Sequence, residues 1–171
     1  MSPIRVLLSI AMLASATATP IALADQPSKT IVIPAGWDGA YDKYHYAPAV
    51  RVGDMVIVSG IPADRGATYE EKIRNLFEDL KNTLQAAGAQ MDDVVEITTF
   101  HSTVKNTPEF EAEFKRFSSV YVNYFPNGYP AWTAVGTTAL LDSDAPVEMR
   151  VMAIVGSGKR QHVSRASKAK P

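Results

Sequence analysis

Cysteine is absent from all 171 residues. That excludes disulfide stapling, thiolate nucleophiles and cysteine-based metal sites, so the fold must stand on its core. Histidine is scarce, with His45, His101 and His162 scattered and none at metal-ligand spacing to another. Surface or structural roles suit all three, and neither a metal nor a cofactor is expected. There is no Walker A loop, no G-x-G-x-x-G, no G-x-S-x-G elbow, no H-E-x-x-H and no EF-hand loop. The strong nucleotide, hydrolase and metalloprotease signals are therefore missing.

Long apolar runs are also lacking, apart from one near the start. Arg5 precedes the apolar residues 6–14, and Ala22-Leu23-Ala24 supplies an A-x-A cleavage pattern before Asp25. This reads as a secretory signal over residues 1–24, too interrupted by Ser15, Thr17, Thr19 and Pro20 to span a bilayer. The expectation is an exported, periplasmic protein with no transmembrane segment.

Charge of either sign is in short supply overall, with a net of −1, but it is unevenly placed. Of 17 basic residues, Arg5 lies in the leader and five lie in residues 156–171, leaving 11 against 18 acidic residues over 25–155. A basic tail on an acidic body argues against nucleic acid as a partner. The tail reads as a disordered, solvated end, and residues 25–155 as one domain.

Residues 130–155 hold two apolar, β-branched runs around a turn-rich insert, which reads as a hairpin. In the second run Val147, Met149, Val151 and Ala153 alternate with Glu148, Arg150, Met152 and Ile154, the period-2 signature of a strand with unlike faces. Glu148 sits mid-strand as the one carboxylate that looks buried. There it faces solvent, pairs with a cation, or belongs to a site.

Upstream, residues 30–33 suggest a short strand and residues 34–46 a Gly-, Asp- and Tyr-rich loop suited to the rim of a cleft. Two β-branched runs flank Gly53-Asp54 as a tight hairpin, and Ser59-Gly60 closes the second. Thr68 with Glu71 makes a capping box, and Ile73, Leu76, Phe77, Leu80, Leu84 and Ala87 share one helical face before Gly88. Residues 94–101 read as a strand. Thr107 as N-cap and Pro108 at N1 then open a second helix, whose Phe110, Phe114, Phe117 and Tyr121 form a core stripe. The order predicts an α+β fold: a mixed β-sheet with two helices packed on one face. The opposite sheet face needs cover, and a second copy of the chain is the natural lid.

YAPAVRVGDMVIVSG from Tyr46, then AAG, DDVVEITTF, YPAWTAV and VEMRVMAIV form a series. It resembles the RidA family, also called YjgF/YER057c/UK114, over residues 46–155. The resemblance implies a chorismate mutase-like homotrimer with a small-molecule ligand in clefts between subunits. Well-studied members hydrolyse enamines and imines to 2-oxo acids and ammonia. It further implies Glu148 as the carboxylate that handles water and Tyr46 as its catalytic companion, with Ser59, Gly60, Trp132 and Ala134 in the substrate-binding cleft. Arg150, two residues beyond Glu148 on the same strand face, either supplies a cation to the substrate-binding cleft or pairs with Glu148 or a neighbouring acid. Trp132 stands where deaminases carry an Arg that clamps the substrate carboxylate, and Ala134 where a Cys is frequent. An indole has one donor and no charge, so it cannot replace a bidentate guanidinium. The expected function is hydrolysis of an imine, enamine or related electrophile of altered type. The alternative is a non-catalytic ligand-binding or protein-interaction module of the cell envelope.

Overall fold

The computed structural model describes residues 28–166; the expected leader, residues 1–24, lies outside the described residues. Six strands form one sheet: β1 (Lys29–Val32), β2 (Ala49–Val52), β3 (Met55–Pro62), β4 (Val94–His101), β5 (Ala131–Gly136) and β6 (Val147–Ile154). Their order across the sheet is β1-β2-β3-β6-β4-β5. The helices are a short α1 (Asp38–Asp42), α2 (Tyr69–Ala86) and α3 (Thr107–Tyr121). No helix among the described residues is long and apolar enough to cross a membrane.

The alternation along β6 has the expected consequence. Val147, Met149, Val151 and Ala153 are buried under the helices, while Glu148, Arg150, Met152 and Ile154 face the other side. α2 covers the first set with Ile73, Leu76, Phe77, Leu80 and Leu84. Its start carries both arms of the capping box, Thr68 accepting from the Glu71 amide and Glu71 accepting from the Thr68 amide. α3 adds Phe117 and Tyr121, and Phe77 meets Phe117 with ring centroids 5.7 Å apart. Each such aromatic contact stabilises by roughly 0.5–1.5 kcal/mol beyond area burial.

Four sequence expectations are corrected. Residues 130–155 are not a hairpin: β5 pairs parallel with β4, and β4 lies between β5 and β6. Both runs are β-branched strands, but a local reading pairs neighbours in sequence and misses the parallel partner. The N-cap of α3 is Asn106, whose side chain accepts from the Glu109 amide, so Pro108 is the second helical residue. Within the rim loop, residues 38–42 form α1. The tail, expected to be disordered from residue 156, begins with a 3₁₀ turn, Ser157–Arg160, in which Ser157 Oγ and the Gly158 amide donate to Asp93.

Candidate functional site

The exit of β3 shapes the site. Val58 pairs with Val151 and Ile61 with Met149, so Ser59 and Gly60 together oppose Arg150 in a β-bulge. The extra residue keeps Val56, Val58 and Ile61 all in the core. It also sets Gly60 directly beneath Glu148, where a Cβ would lie 2.1 Å from Glu148 Oε1. Gly60 is thus required by the carboxylate above it, and the lack of a side chain is what lets Glu148 fold down onto the strand.

Glu148 and Gly60 line a cleft of about 300 Å³ with Tyr44, Tyr46, Pro62, Leu141 and Asp142. It opens into a groove that shares Tyr44, Tyr46 and Pro62 and continues past Trp37 to Arg65 and Asp79. Tyr44 and Tyr46 flank His45, which is exposed and takes a left-handed φ of 61°. Burial lifts the Glu148 carboxyl above its ordinary value. Burial, then the Glu148 charge and Tyr44, raise the Tyr46 phenol above its usual value. Glu148 accepts no hydrogen bond and makes no ion pair with any described residue. Its lone pairs are therefore free for a water or a ligand, and its raised proton affinity makes it a stronger base than an open carboxylate. Tyr46 stays a neutral phenol at physiological pH and retains a proton to donate.

The remaining predicted residues do not gather there. Ser59 spends its hydroxyl on the Ala47 carbonyl at 2.7 Å and its amide on the Pro48 carbonyl at 2.9 Å, anchoring the strand and leaving neither donor for a substrate. Arg150 shares the open sheet face with Glu148 but faces Glu96, with Nη1 and Oε1 3.8 Å apart. Trp132 and Ala134 lie in β5 on the helix side, because Trp132 pairs with the buried Ile97 whereas Glu148 pairs with Phe100 on the other face. The indole stacks on Phe114 at 4.7 Å and donates from Nε1 to Thr99 Oγ1 at 3.0 Å. Within one chain Trp132 is thus a core residue, not a wall beside Glu148. An apolar indole loses more by leaving the aromatic stripe of α3 than a guanidinium would.

Beneath Trp132 lies a second carboxylate that sequence reasoning missed. His101 is fully buried, with Nδ1 2.7 Å from Glu113 Oε1 and Nε2 2.9 Å from Thr99 Oγ1. Thr99 Oγ1 thus joins the indole of Trp132 to the imidazole of His101, and His101 joins Thr99 to Glu113. Thr103 donates to the other oxygen of Glu113. The hydroxyl of Tyr69, buried beside Glu113, lies close enough for that charge to add to burial in holding its phenol up, but lacks hydrogen-bond geometry to any partner among the described residues. Glu148 is therefore not the one carboxylate out of water: the Glu113 side chain is only 10 % exposed, and Asp93 is buried too.

Tyr44, Leu141 and Asp142 were also missed as cleft residues. A Tyr-x-Tyr pair in a loop already read as a rim was a usable signal for Tyr44. Nothing local distinguished Leu141 and Asp142 from the rest of the β5–β6 connection.

Residues 40–155 match the family described as Endoribonuclease L-PSP. The RutC family protein YjgH of Escherichia coli is 34% identical over 127 residues, which is 71% of this chain and 92% of that protein. The chain is a member of the RidA/YjgF family. A solved structure of protein YJGH superposes with a TM-score of 0.64 at 33% identity, covering 74% of this chain and 96% of the other. A Mycobacterium tuberculosis protein of the YjgF/YER057c/UK114 family shares the fold, with a TM-score of 0.63 at 24% identity over 75% of this chain and 100% of its own. A protein of Dermatophagoides farinae named 2-iminobutanoate/2-iminopropanoate deaminase is 29% identical over 64% of this chain and 85% of its own.

Proposed function

We propose that this RidA/YjgF member binds a small metabolite beside Glu148 and hydrolyses an imine, enamine or related electrophile. The observation that carries the reading is Glu148 itself: a half-buried carboxylate with raised proton affinity and no protein partner among the described residues, folded over Gly60 in a cleft with Tyr46. Glu148 takes a proton from water as the oxygen attacks the C=N carbon. That proton passes to nitrogen. Glu148 then takes the hydroxyl proton of the intermediate and relays it to nitrogen as the carbonyl forms and the C–N bond breaks, and the Tyr46 hydroxyl donates a hydrogen bond to the heteroatom gaining charge. The deaminase name of one relative supports this chemistry.

The substrate differs from a 2-imino acid, because Trp132 replaces the clamping arginine and is turned into the core. The family description also names an endoribonuclease, but a cleft whose charged lining is Asp142 and Glu148 gives a phosphodiester no electrostatic partner. In this reading the protein works as an exported homotrimer. Val50, Ile57, Met152 and Ile154 share the sheet face left bare by the helices, and a second copy covers it. Sedimentation of the purified protein as a monomer would remove that part.

The test is ammonia release from imines generated in situ, between pH 6 and 9. We expect little acceleration for 2-iminopropionate and clear acceleration for an imine without a carboxylate. No acceleration for either would leave a cleft that binds without turnover.

A further inference from the structure

We propose that the cleft beside Glu148 selects a small organic cation, an iminium or protonated amine carried on a flat apolar group, over a ligand bearing a carboxylate. This rests on the assignment of that cleft as the functional site and adds its substrate class.

Three features of the wall converge. First, the charged side chains among the cleft residues, Asp142 and Glu148, are both acids. Second, the basic groups nearby are engaged. Arg65, at the far end of the adjoining groove, is bound to Asp79 and also faces Asp64. Arg150, on the same sheet face, turns to Glu96. Lys43 lies with Nζ 5.4 Å from the centroid of the Tyr44 ring, so this ring already attracts a cation. Third, the uncharged wall is built from Tyr44, Tyr46, Leu141 and Pro62. Tyrosine faces carry the negative lobe of the ring quadrupole and favour a cation, while the apolar residues suit a planar hydrocarbon. A carboxylate entering this space would meet two negative charges and, among the described residues, no free guanidinium. An ammonium would supply the partner that Glu148 lacks.

The chemistry balances without a further reactant. An iminium and water give a carbonyl compound and ammonium. The C–O bond forms as the C=N π pair moves to nitrogen, and the remaining C–N bond breaks with its pair going to nitrogen. Glu148 carries both protons of the water to that nitrogen, the first after attack and the second as the hydroxyl becomes the carbonyl. No oxidant or reductant is required.

The experiment uses the purified full chain and three unreactive probes of one shape, benzylammonium, benzyl alcohol and benzoate, titrated calorimetrically at pH 7. The expected result is that benzylammonium binds at least about tenfold more tightly than benzoate, with the alcohol between them. Asp142→Asn retains the side-chain oxygen that accepts the Asp144 amide at 2.8 Å, so the loop keeps its turn. This variant should cut the advantage of ammonium over alcohol by about threefold or more. The proposal is overturned if benzoate binds as tightly as benzylammonium, if no probe binds below about 10 mM, or if Asp142→Asn leaves the ratio intact. Cation preference without turnover of any imine would remove the hydrolytic reading and keep this one. Turnover without cation preference would do the reverse.

Discussion

Glu148 and Glu113 lie on opposite sides of one sheet and have been treated oppositely by the fold. Glu113, on α3, is enclosed and fully partnered: His101 Nδ1 sits 2.7 Å from one oxygen and Thr103 donates to the other. Glu148, on β6, is half-buried and unpartnered among the described residues, and the strand beneath it has given up a side chain to make room. A carboxylate with all its lone pairs satisfied fixes the geometry of its neighbours. One that is desolvated and left open is costly to keep, and that cost is reasonable only where a ligand completes it. The buried acid–histidine–hydroxyl row under α3 looks like a catalytic relay, but His101 and Thr99 are fully enclosed. It serves to hold Trp132 and α3 against the sheet.

The contrast can be broken from either side. The largest stability effect belongs to the buried network: His101→Ala leaves Glu113 and Thr99 without their shared partner and opens a cavity, and should lower unfolding free energy by about 3 kcal/mol. Denaturant titration checks this, and a loss below about 1 kcal/mol would mean the row is not load-carrying in the core. Gly60→Ala comes next, on the other side. The added methyl meets only the movable end of Glu148, so stability should change little while turnover falls on the order of tenfold or more as the carboxylate is displaced. Trp132→Phe keeps the stacking on Phe114 and loses the bond to Thr99; about 1 kcal/mol of stability should go with it, with no change in the affinity of benzyl alcohol.

The smallest effect is a gain. Burial makes the folded protein hold the Glu148 proton more tightly than the unfolded chain does. The stability this group contributes is therefore fully present below the unfolded carboxylate pKa and is lost as pH rises through the raised folded value. Glu148→Gln should consequently raise the unfolding midpoint slightly at pH 7 relative to the native protein, and that advantage should fade as the pH is lowered through the carboxylate range.

Much of this arrangement was legible from residue spacing. The five apolar positions of α2 and its Thr68–Glu71 box, the aromatic stripe of α3 and the two-faced β6 are local patterns, and local patterns survive folding. The pairing of β5 with β4 was not legible, because a parallel partner reached across a helix leaves no turn signature. Glu113 reads as an ordinary surface acid of an amphipathic helix, and only the fold brings His101 from β4 to meet it. Trp132 was identified by its motif position but its direction was not, since one step along a strand decides which side of the sheet a side chain faces. Glu148, by contrast, was visible because its neighbours alternate so cleanly.

Ammonia release from a carboxylate-free imine by Glu148→Gln, with the unfolding midpoint recorded on the same sample, decides whether Glu148 is a base or a bystander. A fall of about 100-fold or more with the midpoint unchanged or slightly raised is the expected result. A rate within about threefold of the native protein would contradict it and remove Glu148 from the chemistry.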